Sequence, residues 1–149
     1  MSAKVSFRLM RTSDLDAVMV IEPTIYSHPW TRGNFADSLA FGHSCWVMMD
    51  SAELVGYALM YLVLDEAHLL NLSVAKPHQG RGLGRMLLAH MIAKAKSYGA
   101  NNMFLEVRPS NKNAIALYEK VGFNEMAVRR NYYPATGGRE DAILMGMAL

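Results

Sequence analysis

Apolar positions along the chain switch repeatedly between two periods. Val5, Phe7 and Leu9 alternate with polar neighbours, which predicts a strand over Val5–Met10. Ser13 is placed as the N-cap of a helix, with Asp14 and Asp16 complementing its N-terminus. That helix is expected to stop near Ile21, because Pro23 disfavours helical geometry at Glu22. Thr31 is placed to cap a second short helix through Phe41. Cys45–Met49 and Leu54–Leu64 read as strands around a turn at Asp50-Ser51, and Ala67–Val74 as another after Asp65-Glu66. The clearest helix has Leu83, Leu87, Met91 and Ala95 at every fourth position, with Leu88 and Ile92 beside them and Gly99 past its end. Met103–Val107 is a strand, and Ser110 is expected to cap a helix carrying Ala114, Leu117, Tyr118 and Val121 on one face, closed by Gly122. Phe123–Val128 and Ala142–Met147 complete the pattern as strands. This order predicts the α/β class, a mixed sheet flanked by about four helices, in a single domain over 1–149.

Composition narrows the class. The chain has 149 residues, a size that buries a full core without disulfides or metals. With 52% hydrophobic and 19% charged residues, it is not intrinsically disordered. The net charge of +2 lacks the basic excess of a nucleic-acid binder, so direct nucleic-acid binding is not expected. The longest uncharged apolar run, Leu54–Leu64, falls well short of the roughly 20 residues of a membrane helix. The N-terminal residues lack the apolar core of a signal peptide. We therefore expect a soluble cytoplasmic protein without a membrane partner. A single cysteine, Cys45, excludes an intramolecular disulfide, and its neighbours Trp46 and Val47 suggest a buried thiol. The five histidines have no metal-like spacing, so no metal is expected.

The most distinctive local feature is Gln79-Gly80-Arg81-Gly82-Leu83-Gly84-Arg85, between a strand and a strong helix. Glycines let backbone N–H groups approach an anion, and the helix N-terminus favours negative charge. Arg81 and Arg85 add charge. The segment is neither a dinucleotide-binding fingerprint, which needs glycine where Arg85 stands, nor a Walker A loop, which needs G-K-[ST]. A glycine-rich turn without a ligand is the other reading.

Two side chains are candidates for proton transfer. In the strand Met103–Val107, Phe104, Glu106 and Arg108 share one face, so Glu106 sits mid-strand beside apolar neighbours. Partial burial would raise its pKa toward neutrality and suit a general base, whereas pairing with Arg108 would make it structural. Asn111 and Tyr118 lie nearly two turns apart on the next helix and share a face. Tyr118 also lies on the apolar stripe, where periodicity favours a core aromatic.

The glycine segment matches Q/R-x-x-G-x-G/A, and it resembles the acyl-CoA pyrophosphate loop of the GNAT superfamily of N-acetyltransferases. The element order is similar to that fold along nearly the whole chain. Leu105-Glu106-Val107-Arg108, Ser110-Asn111, Ala114–Glu119, Arg129-Arg130-Asn131-Tyr132-Tyr133-Pro134 and Gly138–Ala142 resemble one branch of it. That branch acetylates the N-terminal alanine of a small-subunit ribosomal protein. The resemblance implies acetyl-CoA as co-substrate. Its pyrophosphate would lie on Gln79, Gly80, Arg81, Gly82, Leu83, Gly84 and Arg85, and its pantetheine arm along Leu72, Ser73 and Val74. Asn111 would contact it too. It implies Glu106 as general base, Tyr118 as general acid, and a ribosomal-protein N-terminal peptide as partner. Arg129, Arg130, Asn131, Tyr132 and Tyr133 are then expected to form a loop over that peptide; the other reading of this stretch is a connection with exposed basic residues. The run Pro109–Asn113 departs from the branch's alanine-richer sequence, which bears on the acceptor groove. A small-molecule amine acceptor and a non-catalytic acyl-CoA-binding module stay open at this point.

Overall fold

The computed structural model describes residues 4–149. Among these, strands β1 (Val5–Leu9), β2 (Ser44–Asp50), β3 (Glu53–Val63), β4 (Glu66–Val74), β5 (Asn102–Val107), β6 (Asn124–Ala135) and β7 (Gly138–Ala148) form a seven-stranded sheet. Its order is β1-β2-β3-β4-β5-β7-β6. The helices are α1 (Leu15–Ile25), α2 (Arg32–Ala40), α3 (Leu83–Ser97) and α4 (Lys112–Val121). β4 and β5 pair in parallel, and the other neighbours are antiparallel. A parallel pair needs a long crossover, and α3 supplies it.

The two faces have separate cores. On one, Leu83, Leu87, Leu88, Met91 and Ala95 of α3 and Tyr118 of α4 pack on Met48, Ala58, Met60, Met103 and Met145. On the other, Leu15, Val18 and Ile21 of α1 and Phe35 of α2 pack on Val47, Tyr57 and Leu59, beside the buried Cys45. Burial pushes the Cys45 thiol up to about 11, so it rests as an unreactive thiol.

The feature that positions everything else is a parting of the sheet. β4 pairs with β5 only from Glu66–Leu69 against Asn102–Leu105. At that point Leu59 faces Asn71 and Met60 faces Leu69, so Leu70 is the extra residue of a β-bulge. A bulge bends its strand. Beyond it β4 stays with β3 as far as Val74, while β5 stays with β7 as far as Val107. The two central strands diverge and leave a gap.

Four expectations are corrected. Helix α1 runs through Pro23 to Ile25. Tertiary bonds hold Glu22 in helical geometry: its carboxylate accepts from Tyr57 Oη at 2.7 Å and from the Trp30 N–H at 3.0 Å. Ser13 is not the cap; it lies in a 3-10 turn, Thr12–Asp14, where the Asp14 carboxylate accepts from the Arg11 N–H at 2.7 Å and from Arg8. Asn111, not Ser110, caps α4, its Oδ1 accepting from the Ala114 N–H at 3.3 Å. Arg129–Pro134 is not a loop but part of β6, with a register shift between Arg129 and Tyr133 and Asn131 at a φ of +53°. As an edge strand exposed along most of its length, it has no hydrophobic period to read.

Gly56 of β3 is a point where backbone leaves no room for a side chain. A Cβ there would lie 2.9 Å from the Ser73 carbonyl oxygen and 3.7 Å from Met48 Cβ, between two paired strands. Gly56→Ala should therefore destabilise the protein by about 1–3 kcal/mol, the usual cost of overpacking. An unchanged midpoint in urea denaturation would contradict this packing.

Candidate active site

The gap between β4 and β5 opens into a cleft of about 530 Å³. It is lined by Tyr26, Pro29 and Trp30 from the end of α1 and the segment after it, Leu70–Leu72 of β4, Glu106–Arg108 of β5, Asn111 and Tyr118 of α4, and Tyr133 of β6. The free edge of β4 forms one wall. The Ala75 N–H donates to the Val55 carbonyl at 2.8 Å, so the alternation of a strand turns Ser73 toward β3, and Leu72 and Val74 toward the gap. Their carbonyls are occupied: Tyr26 Oη donates to Leu72 O at 3.2 Å and Gln79 Nε2 to Val74 O at 2.9 Å. By the same alternation their amide N–H groups point away from β3, toward the gap.

Behind this wall lies a polar network that sequence reasoning missed. Glu22, 1% exposed, accepts from Tyr57, Trp30 and, at 3.4 Å, Asn71 Nδ2. Ser73 Oγ donates to Asn71 Oδ1 at 2.7 Å and lies 2.8 Å from Tyr26 Oη. Burial and the Glu22 charge push the Tyr57 hydroxyl far up, and burial raises Tyr26 to about 12. The network ties the segment after α1 to the lip of β4. Its signal in the sequence was a glutamate inside the apolar run of α1, obscured by the adjacent proline.

The glycine turn sits at the end of the same wall. Gly80 and Gly82 have φ of +81° and +76°, with open space where a Cβ would be. Gly82 is the N-cap of α3, so the amides of Leu83, Gly84 and Arg85 begin the helix without intrahelical partners. A Cβ on Gly84 would lie 3.6 Å from Leu117 of α4 and 4.0 Å from Val74 of β4, so the start of α3 lies next to both elements. Arg81 is engaged by Asp50 at 3.2 Å and by His78 at 2.8 Å, while Arg85 is exposed on the first turn. Open space over a row of donors, next to a strand edge with inward amides, fits an extended anionic thioester such as acetyl-CoA.

Glu106 and Tyr118 line the same cleft. Tyr118 is 7% exposed, and burial pushes its hydroxyl well above the ordinary tyrosine range, so it stays protonated. Glu106 does not pair with Arg108, as one reading of the strand allowed. Arg108 instead bonds the Pro134 carbonyl at 2.7 Å, reaches Glu140 at 3.5 Å and stacks over the Tyr133 ring at 4.3 Å. Glu106 pairs with Arg129 of β6, Oε2 to Nε at 2.8 Å.

The predicted acceptor stretch divides. Tyr133 lines the first cleft, its hydroxyl raised to about 12 by burial and then by the Glu106 charge. Arg129 and Tyr132 line a second cleft of about 480 Å³ with Tyr61, His68 and Phe104, and the two clefts meet at Leu70 and Glu106. Arg130 and Asn131 reach neither. Arg130 is exposed near Asp141 at 3.9 Å, while the Asn131 N–H donates to Asp141 Oδ1 at 2.9 Å and its carbonyl accepts from Arg139. They hold the shape of the β6–β7 hairpin.

A sheet parted between two parallel strands, a glycine turn at one lip and a carboxylate and tyrosine opening on one space define a class of acyl-transfer enzyme, and the chain belongs to it: residues 15–123 match the acetyltransferase (GNAT) family. Within that family it is 42% identical over 140 residues, 94% of this chain and 95% of the relative, to the [ribosomal protein bS18]-alanine N-acetyltransferase of Escherichia coli K12. It is 37% identical over 137 residues, 91% of this chain and 93% of the relative, to the enzyme of that name from Haemophilus influenzae. The crystal structure of the ribosomal-protein-S18-alanine N-acetyltransferase from Escherichia coli is similar with a TM-score of 0.90 at 41% identity, covering 97% of this chain and 93% of that one.

The link that fixes the cleft's far wall can be tested directly. Glu140 Oε2 accepts the Ser110 N–H at 2.8 Å and Oε1 the Ser110 hydroxyl at 3.0 Å, joining β7 to the loop before α4. These bonds, with Arg108, hold the Glu140 carboxyl below its ordinary 4.5. A depressed carboxylate contributes its stabilisation above the unfolded value and loses it as pH falls through the folded one. The Ser110 amide resonance should therefore titrate with a midpoint below 4.5, and a midpoint at or above it would show that the clamp is absent in solution.

Proposed function

We propose that this acetyltransferase is of the RimI type, moving the acetyl group of acetyl-CoA to the α-amine of an N-terminal alanine on a small-subunit ribosomal protein of the bS18 kind. The observation that carries the chemistry is that Glu106 and Tyr118 open on one cleft walled by the free edge of β4. The acceptor rests on the end-to-end similarity to relatives with that activity. Such an acceptor implies work in the cytoplasm.

The proposed reaction needs no covalent enzyme intermediate. An N-terminal amine has a pKa of about 7.7–8.0, so much of it arrives protonated at neutral pH. Glu106, directly or through one water, takes that proton. The neutral amine attacks the thioester carbonyl, and the developing oxyanion accepts from a backbone N–H near Ser73–Val74, at the end of β4. Collapse expels the thiolate, and the Tyr118 hydroxyl, kept neutral by burial, protonates it. The second proton, shed by the new amide nitrogen, returns the tyrosinate to its neutral form, while Glu106 releases its own proton to solvent. A thiol pKa of about 8.5 makes this help useful but not indispensable. The donor lies along Leu72, Ser73 and Val74, with its pyrophosphate over the amides from Gly80 to Arg85 and with Gln79 fixing the strand end. Asn111 lines the same space. Tyr132 and Tyr133 meet the acceptor peptide, Arg129 stands against Glu106 where the amine arrives, and Arg130 and Asn131 shape the hairpin that carries them.

Acetyl transfer to a panel of peptides and small amines, followed by mass spectrometry, tests the acceptor. Alanine-starting peptides should be modified at the α-amine, and transfer confined to polyamines or aminoglycosides would refute the reading. Glu106→Gln should lower kcat about 10²–10⁴-fold. Tyr118→Phe should slow turnover less while leaving acetyl-CoA binding unchanged. A wild-type rate in either variant would remove that residue from its role.

A further inference from the structure

The contact between Arg129 and Glu106 joins opposite charges without satisfying the carboxylate. Nε lies 2.8 Å from Oε2, yet Oε2 is buried from solvent and receives no properly directed hydrogen bond. The carboxylate thus has its charge balanced but a lone pair unfilled, at the point where the two clefts meet. An unfilled buried acceptor on a residue that lines both clefts calls for a donor.

Arg129 is suited to leave. Its side chain is 57% exposed, and it sits at the register shift of β6, where regular pairing is interrupted. The Tyr132 ring already lies 5.4 Å from its guanidinium and offers a second resting place. The other charged groups around Glu106 are committed elsewhere. Arg108 on β5 is held by Glu140 of β7, and His68 of β4 by Glu66 at 3.0 Å. Glu22 of α1 is bound by neutral donors, and Tyr118 and Tyr133 are held protonated.

We propose that Arg129 is a displaceable counter-ion: it holds Glu106 while no acceptor is bound, and the acceptor's α-ammonium exchanges for it. The inference rests on the reading of Glu106 as the base. A guanidinium does not give up its proton under working conditions, so the pair is a resting state. A compact ammonium brings three rotatable donors and a proton that the carboxylate can take. Exchange keeps the site electrically balanced at every stage and commits Glu106 only when a charged amine is present.

Binding of two synthetic peptides to the CoA-loaded enzyme tests this, one starting with alanine and the other its desamino analogue, which has no charge at that end. In Arg129→Gln the competitor is gone, so the alanine peptide should bind about two- to fivefold more tightly, the yield of an ion pair this exposed. The desamino peptide should bind as to wild type. Arg129→Lys should restore wild-type affinity, and in a Glu106→Gln background Arg129→Gln should change nothing. Equal weakening of both peptides would make Arg129 a peptide contact, and unchanged binding of both would make the pair inert; either overturns the proposal. Failure of the underlying reading looks different: Glu106→Gln would then turn over at the wild-type rate.

Discussion

Everything in this molecule depends on a parallel strand pair that stops halfway. Backbone amides left unpaired in a protein interior are costly, so a sheet does not ordinarily part at its centre. Here the bulge at Leu70 turns β4 away from β5, and the exposed carbonyls are then satisfied one at a time. Tyr26 reaches Leu72 O from α1, and Gln79 reaches Val74 O from the glycine turn. What stays directed into the gap is a short row of N–H donors. In the proposed reaction the donor substrate would complete the sheet as a neighbouring strand does, which would align its thioester without a dedicated side chain for each atom.

Holding the gap open requires anchors on both faces. On one face the start of α3 lies beside Leu117 of α4 and Val74 at the end of β4. On the other, Glu22 carries a buried charge with three neutral donors and no basic partner among the described residues. Such a carboxylate is stabilising only while every donor is in place, because removing one leaves a buried charge partly unsatisfied. The same bonds reach the Trp30 backbone and Asn71, so the position of the cleft mouth is coupled to that of β4. The helix through Pro23 is part of this arrangement, since Glu22 is both the residue the proline disfavours and the one the network fixes.

How far the chain is legible as a sequence follows from what sets each element. α3 was clear because Leu83, Leu87, Met91 and Ala95 all face one core. Glu106 was placed correctly on its face because a strand's alternation is rigid, and the glycine turn because only glycine suits φ near +80° at positions 80 and 82. The end of α1 was misjudged because long-range bonds override a local proline preference. The hairpin was misjudged because a strand exposed along its length carries no hydrophobic period. The parting of β4 and β5, the second cleft and the Arg129–Glu106 pair were invisible for a common reason: each joins residues far apart in the chain through register, and register is not a local property.

The two proton-transferring groups of the proposed reaction illustrate opposite uses of burial. Tyr118 belongs to an apolar core and touches the cleft only at its edge, so desolvation keeps its proton in place until a thiolate demands it. Glu106 sits where two clefts meet, with the half-exposed Arg129 side chain lying against it, so it is within reach of whatever occupies either cleft. The division follows from the fold. The acid lies on a helix packed against the sheet, where its environment is fixed, and the base lies on the strand that β4 abandons, where it is open to exchange. An acceptor amine that arrives charged and must leave neutral needs its partner on the open side, and a leaving sulfur shielded from water needs its partner on the closed one.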